Sequence, residues 1–365
     1  MNKSWLSRYW RLRLAGTLAI VGVVSTVGSR AIAQVRADNT LGQESSQVTS
    51  TGSGAVQING GATRGTNLFH SFSQFSVPNN GVAAFNNALS IQNIISRVTG
   101  GSGSNIDGLI RANGGANLFL INPNGIVFGP NARLNIGGSF VGSTASSVKF
   151  ADGIQFSATA PPTTPLLSIS VPIGLQFGAN PGSISNLSQA TDSSGNTVGL
   201  QVLSGKSLVL VGGDVSLLNG GRLSAASGRV ELGGSALTGT VGLGIDGNTI
   251  RLSFAPDSKL SNVTLATDSL VNVIGSGGGN IAVNTNAFTA TNGGRLIAGT
   301  LGLGTGGDIT VNANNFSISG VGFSGNGSGL YNQVLAKASG NAGNIFVNTN
   351  VFKASAGAVI DAEVL

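Results

Sequence analysis

The side chains that could do chemistry in this sequence are few and widely spaced. Cysteine is absent, which excludes thiol nucleophiles, zinc–thiolate sites and thiol redox chemistry. Cleavage of polysaccharides needs paired carboxylates, or a carboxylate-bound cation with a basic partner. Between positions 100 and 310 the acidic residues stand singly, at Asp107, Asp152, Asp192, Asp214, Glu231, Asp246, Asp257, Asp268 and Asp308. A secreted polysaccharide lyase or hydrolase therefore stays an alternative only if the fold brings some of them together, and the sequence predicts a non-enzymatic chain with no metal and no cofactor.

The single histidine is the only other candidate for acid–base work. His70 lies in "NLFHSFSQF", among Phe69, Phe72 and Phe75, with no fixed nucleophile beside it in sequence. We predict that it is a packed or surface strand residue. The three phenylalanines are predicted to pack in an end cap or in the first coil, and contact with a partner is the alternative.

A polar motif of four residues carries the most specific signal. Asn122, Pro123, Asn124 and Gly125 stand between the apolar runs "NLFLI" and "GIVF". Asparagine is favoured at the first position of a type I turn, proline fixes φ at the second, and glycine suits the fourth. From the residues alone, the motif predicts a tight corner between two strands.

The first 33 residues have the features of a secretory signal peptide. The basic segment "MNKSWLSRYWRLR" precedes a short apolar run, residues 14–28, which is followed by Ala31-Ile32-Ala33. This small-x-small site predicts cleavage before Gln34 and export of the mature chain. An uncleaved membrane anchor is the alternative.

The formal net charge of +6 belongs mostly to that leader. Removing residues 1–33 leaves 14 basic against 13 acidic side chains, with no basic stripe and few aromatic residues. The sequence therefore predicts no nucleic-acid partner. With 58 glycines, 41% hydrophobic and only 9% charged residues, the chain is typical of many short strands joined by turns.

Three segments repeat one template, and they predict the fold. They are "GGNIAVNTNAF" (278–288), "GGDITVNANNF" (306–316) and "AGNIFVNTNVF" (342–352). Ile and Val alternate with variable positions, which is the period of a strand, and "GGRL" also recurs at 220–223 and 293–296. Repeats of strand and turn without helical periodicity predict an all-β, right-handed parallel β-helix. Five prolines within 157–182 predict that this segment leaves the regular coil as an extra-helical β element.

Motifs between 64 and 145 carry a family resemblance. "RGTNLFHSFSQFSVPNNGVAAF" (64–85) and the long segment from "NIISRVTGG" (93–101) to "GGSFVGSTA" (137–145) resemble the N-terminal secretion domain of the filamentous haemagglutinin family. The later "PLLSISVPIGLQFGANPGSI" (165–184) and the segment 208–233 are similar to the cyanobacterial branch of that family.

This resemblance implies two-partner secretion. Family members reach the periplasm by the general secretory route and are bound by a dedicated Omp85-type β-barrel transporter with POTRA domains. The chain then folds outside as a β-helix, with an adhesive role towards host or neighbouring cell-surface glycans or proteins. The family's NPNG secretion motif maps onto Asn122, Pro123, Asn124 and Gly125. The family's NPNL motif has no literal copy, and residues 78–81 (PNNG) come nearest.

The expected organisation has three parts. Residues 1–33 are the signal peptide, 34–240 the two-partner-secretion domain, and 241–365 a β-helix repeat region. The last residues, "AGAVIDAEVL", stop within a repeat, so we expect either a truncated chain or a short secreted rod whose last coil is exposed as a β-edge. The expected location is outside the cell, either secreted or on the cell surface.

Overall fold

The computed structural model describes residues 34–52, 54–162, 166–247 and 249–365, which belong to one compact unit. Within these ranges the chain is strand and turn, apart from a single 3-10 turn at Gly42–Glu44. No helix in the described part has the length and hydropathy needed to cross a membrane. The predicted signal peptide, residues 1–33, lies outside the described residues.

The first half of the chain forms sixteen strands. They are β1 (Gln34–Ala37), β2 (Ser46–Gly52), β3 (Ala55–Gly60), β4 (Ala62–Arg64), β5 (Asn67–Ser76), β6 (Val82–Phe85), β7 (Asn93–Val98), β8 (Ser104–Ile106), β9 (Leu109–Ala112), β10 (Asn117–Ile121), β11 (Ile126–Phe128), β12 (Arg133–Asn135), β13 (Phe140–Ser143), β14 (Ser147–Phe150), β15 (Gln155–Ser157) and β16 (Pro172–Phe177).

The second half forms another sixteen. They are β17 (Ile184–Asn186), β18 (Leu200–Gln201), β19 (Ser207–Gly212), β20 (Val215–Leu217), β21 (Arg222–Ser224), β22 (Arg229–Gly234), β23 (Gly239–Asp246), β24 (Thr249–Ser253), β25 (Asn262–Ala266), β26 (Leu270–Asn272), β27 (Asn280–Thr291), β28 (Arg295–Thr300), β29 (Ile309–Ser319), β30 (Gly329–Val334), β31 (Ile345–Ser355) and β32 (Val359–Val364).

Most strands stack in parallel on three faces, so the chain is the predicted all-β parallel β-helix. Face 1 runs β5-β7-β10-β13-β19-β22 and continues into the first halves of β27, β29 and β31. Face 2 runs β8-β11-β17-β20-β25 and continues into the second halves of the same three long strands. Face 3 consists of β3-β6-β9-β12, followed by β18-β21-β26-β28-β30-β32. Each coil of the helix therefore places one strand, or half of a long one, on each face.

The repeat template is confirmed by the strand register. Its Ile, Val and Phe positions pair from coil to coil as Ile281–Ile309–Ile345, Val283–Val311–Val347 and Phe288–Phe316–Phe352. The phenylalanine rings stack with centroids 5.3 and 5.2 Å apart. Identical side chains in register therefore build the aliphatic and aromatic layers inside the helix.

An extra-helical sheet covers the outside of face 1. Strands β15-β14-β16-β23-β24 pair antiparallel and leave the coil at 147–177 and 239–253. This confirms the excursion predicted from the prolines, of which Pro165 lies outside the described residues. Phe150, Phe156 and Leu175 of this sheet pack against Phe69 and Phe119 of face 1 in a second core. From β5 to β19 face 1 is thus buried on both sides, and strands such as "NLFLI" there are continuous apolar runs, whereas β29, which the sheet does not cover, alternates between buried and half-buried residues.

Antiparallel strands close the amino-terminal end of the helix. Strands β1 and β4 pair with β5, and β2 pairs with β3. We call residues 34–64 the cap. Phe69, Phe72 and Phe75 on β5 are each at most 1% exposed, which confirms their predicted packing in the first coil.

The buried side chains inside the β-helix allow a prediction about stability. Val283 is fully buried between Leu232 and Val311, so Val283→Asp places an unpaired charge in the core. We expect a loss on the order of 4 kcal/mol in the free energy of unfolding, measured by urea denaturation. Thr310→Asp, at a half-buried outward position, is the control and should change it by less than about 1 kcal/mol. Equal effects of the two substitutions would contradict the assignment of Val283 to the interior.

Candidate functional site

The motif of residues 122–125 forms the corner between face 1 and face 2. It joins the end of β10 to the start of β11, and the Gly125 N–H donates to the Asn122 carbonyl at 3.1 Å. Gly125 has φ of +112°, a conformation that L side chains rarely adopt. The tight turn predicted from the sequence is therefore present.

Asn122 holds this corner together through its side chain. The Nδ2 atom donates to the Ser102 carbonyl and to Ser104 Oγ, both at 3.0 Å. The Oδ1 atom accepts the Asn124 backbone N–H at 3.0 Å, which closes a second, smaller turn inside the first. Asn122 is fully buried, and its amide bonds link its own turn to the corner one coil earlier.

Backbone hydrogen bonds join this corner to the coil before it and to the coil after it. The Ser104 N–H donates to the Gly125 carbonyl, and the Gly182 N–H donates to the Pro123 carbonyl at 2.9 Å. The backbones approach so closely that a Cβ on Gly182 would lie 2.4 Å from the Gly125 nitrogen. We call the three stacked corners, residues 102–104, 122–125 and 181–183, the corner stack.

The four motif residues differ in what they offer to a partner. Asn122 and Gly125 are buried, Pro123 is half-buried, and Asn124 is exposed while its Nδ2 donates to the Gly100 carbonyl at 2.7 Å. Residues 78–81, the nearest approach to a second family motif, form a turn at a different corner, between face 2 and face 3. The Gly81 N–H donates to the Pro78 carbonyl there at 2.8 Å. The structure does not bring the two motifs to one corner.

Several of the scattered acidic residues bind backbone amides of the following coil. Asp107 accepts the N–H of Asn131, Asp214 that of Asn262, and Asp308 that of Asn344, at 2.8 to 2.9 Å. In the described ranges no group of three His, Asp or Glu side chains is placed to hold a metal ion. These three carboxylates thus have a structural role at separate corners, and they do not pair with one another.

His70 is buried in the first coil beneath the cap. It is 1% exposed, its ring lies 5.3 Å from that of Phe85, and Nδ1 is 3.0 Å from Ser46 Oγ of β2. Burial lowers the pKa of His70 to about 3, so the ring is neutral at any ordinary pH. The prediction of a packed residue is confirmed, and nothing exposes the imidazole to a substrate.

A buried arginine that the sequence analysis did not single out joins the cap to the extra-helical sheet. Arg97 of β7 donates to Thr40 Oγ1 of the cap at 2.8 Å and to the Ser157 carbonyl of β15 at 2.7 Å, and its guanidinium lies 4.0 Å from the centre of the Phe156 ring. Burial lowers its pKa to about 10, and the negative charge of Asp38 acts in the opposite direction. Three separate parts of the chain meet at this side chain.

Asp38 supplies the compensating charge of that cluster. Burial alone would raise its pKa, but hydrogen bonds from Thr40, Thr99 and Ser71 hold the pKa below its usual value. In sequence, Arg97 is one polar residue at the end of "NIISRV", and only the folded register brings it to Asp38. No sequence signal marked it.

Comparison with known proteins gives a family. A family model described as TPS secretion domain matches residues 33–283, more than half of the chain. The filamentous hemagglutinin secretion domain is 15% identical, with 88% of this chain and 99% of that chain covered and a TM-score of 0.38. The HMW1 secretion domain from Haemophilus influenzae is also 15% identical, with 90% of this chain and 99% of that chain covered and a TM-score of 0.40. No curated protein matches the chain in sequence.

The burial of His70 predicts acid sensitivity. Its pKa is about 3 in the folded state and about 6.5 unfolded, so the unfolded chain binds the extra proton between these values. The stability that depends on the neutral His70 ring is therefore fully present above pH 6.5 and is lost as the pH falls towards 3, by about 2.5 kcal/mol between pH 6 and pH 4. His70→Phe should remove this part of the pH dependence, because all other titrating groups are retained. Identical pH dependence of unfolding in the two proteins would overturn the assignment.

Proposed function

We propose that an outer-membrane transporter recognises and exports this chain, which belongs to the family of TPS secretion domains. The transporter is an Omp85-type β-barrel with POTRA domains, and it binds the amino-terminal part of the chain. Membership makes the protein an exoprotein of two-partner secretion. The family match is the observation that carries the proposal. The matched residues, 33–283, include the whole corner stack and the extra-helical sheet.

The proposed division of labour follows the expected domains. Residues 34–240 serve recognition and the start of folding, while 241–365 extend the same helix as repeats. The role outside is adhesive and non-enzymatic, with cell-surface glycans or proteins as partners and no cofactor. The product is secreted or remains at the cell surface.

Folding outside the cell can drive export in this scheme. Each coil buries its apolar layer only on its neighbours, so a coil that emerges next to a folded one gains stability at once. Parallel strands form slowly in isolation because their contacts are distant in sequence. The absence of cysteine leaves the chain free of disulfides during passage. Growth from the cap would therefore bias movement outward.

We assign the motif at 122–125 to the folding step of secretion. The support is the burial of Asn122 and its bonds to the preceding coil, which make the side chain a structural part of the corner stack. Asn124 is the residue of the motif that a transporter could touch. The two asparagines therefore separate a folding role from direct recognition.

Export assays with single substitutions test this proposal. The tagged wild-type chain should appear outside only in cells that contain the transporter. Asn122→Ala removes two donors and one acceptor and should cost roughly 1 to 3 kcal/mol, with a matching fall in export. Asn124→Ala should leave export nearly unchanged, as should Asn131→Ala, a control at an exposed position on another corner of the same coil.

The same assay can contradict the proposal in two ways. Export without the transporter would refute two-partner secretion for this chain. Loss of export in Asn124→Ala, with unchanged melting temperature, would show that the transporter reads the exposed side chain and that the folding role is wrong. Binding of the unfolded chains to the isolated transporter should be equal for wild type and Asn122→Ala.

A further inference from the structure

The outward side of face 1 is apolar in the first coils of the helix. Phe69, Ile95, Phe119 and Val141 pair from strand to strand along this side, and each is 0% exposed. We call these four residues the outer column. On β29 the equivalent outward position holds Thr310, which is polar and half-buried. A strand with one side in water normally alternates apolar and polar residues, so the outer column indicates that the first coils are built to be covered.

The cover comes from parts of the chain that follow the whole outer column. The extra-helical sheet uses residues 147–177 and 239–253, whereas the last of the four strands, β13, ends at Ser143. In a chain that folds from the cap, the outer column is therefore complete before any of its cover is available. A contiguous apolar surface of this kind marks a site of interaction as long as it is bare.

The coils and the sheet are packed in two separate cores. The core inside the helix contains no buried residue from 147–177 or 239–253. The buried apolar residues of the sheet, among them Val148 and Leu175, belong to the second core together with the outer column. Units that share no core side chains can open separately. Opening of the sheet therefore uncovers face 1 while the coils stay folded.

Face 1 also donates hydrogen bonds to the backbone of its cover. Asn67 Nδ2 donates to the carbonyls of Ser168 and Ser170, at 3.1 and 2.8 Å. On the other side of the outer column, Arg97 donates to the Ser157 carbonyl at 2.7 Å. Every polypeptide has main-chain carbonyls, so an extended segment of another protein could accept the same bonds.

We propose that the outer column docks the transporter while the chain folds, and that the extra-helical sheet displaces the transporter from this surface when it closes. The occupant is an apolar, uncharged segment of the transporter, because the outer column carries no charge and the donors at its borders suit backbone carbonyls. Closure of the sheet removes the surface, so the folded chain is released. This inference rests on the proposed function, since it names the surface by which the transporter holds the chain.

The competing explanation is that the sheet only stabilises the first coils. Leu175 on the central strand of the sheet is 0% exposed, so Leu175→Asp buries a charge and opens the sheet. Adding Phe119→Asp then places a charge within the uncovered outer column. Gln155→Asp, at an exposed position of the same sheet, is the matched control. Val283→Asp is the second control, because it disturbs the core inside the helix and leaves the sheet intact.

The test measures binding of refolded full-length chains to the purified transporter in lipid nanodiscs. Unfolded wild type should bind, and folded wild type should bind weakly or not at all, because its outer column is covered. Folded Leu175→Asp should bind at least about tenfold more tightly than folded wild type. The added Phe119→Asp substitution should abolish this gain. Gln155→Asp and Val283→Asp should behave as folded wild type does.

Two sets of results overturn the inference, and they are distinguishable. Failure of unfolded wild type to bind would refute the proposed function, and this inference with it. If unfolded wild type binds, the docking surface alone is refuted by equal binding of folded Leu175→Asp and wild type, or by an undiminished gain after Phe119→Asp. It is also refuted if Val283→Asp gains as much as Leu175→Asp, because the gain then belongs to unfolded chains.

The remaining controls concern the occupant and the fold. Binding of Leu175→Asp to empty nanodiscs, or its dimerisation in place of transporter binding, would assign the surface to lipid or to a second copy and contradict the proposal. Hydrogen exchange in β29 reports whether the coils of Leu175→Asp stay folded. If that protection is lost, Leu175→Ala, which loosens the sheet without a buried charge, takes its place and is judged by the same outcomes.

Discussion

Each coil of this protein buries its inward side chains only against the coil before it and the coil after it. That constraint requires residues to stay in register over many coils, because a shift by one position would turn the apolar layer outward. The repeated Ile, Val and Phe positions meet this requirement. The low charge and high glycine content follow from it as well, since strands fill most of each coil and the backbones approach closely where they turn.

The corners carry the polar residues that this stacking needs. Backbone groups at a corner have no neighbour within their own strand, and here asparagine and aspartate side chains from adjacent coils satisfy them. Asn122 and Asp107 illustrate the two versions, an amide that bonds backwards to Ser102 and a carboxylate that binds the N–H of Asn131 ahead. In the proposed secretion scheme, export and folding are connected at this point, because a corner that fails to form leaves the next coil without a surface on which to stack.

The predictable part of this structure is the part encoded by local pattern. Alternating apolar residues predicted the strands, the template predicted the stacking, the prolines predicted the extra-helical sheet, and Asn122 to Gly125 predicted a turn. Contacts that depend on the strand register could not be predicted from the sequence. The bonds from Asn122 to Ser104, from Arg97 to Ser157 and from Asn67 to Ser168 join residues 18, 60 and 101 positions apart. Their partners become defined only when the coil lengths and excursions between them are known.

The central claim is that the motif at 122–125 stabilises three coils rather than one turn. Hydrogen exchange of the folded Asn122→Ala protein tests it most directly, because exchange reports local opening amide by amide. The account predicts faster exchange at Ser104, Ile126 and Gly182, whose N–H groups bond within the corner stack, and unchanged protection in β29. Faster exchange confined to Gly125, or no change at all, would contradict it and leave the motif as an ordinary turn.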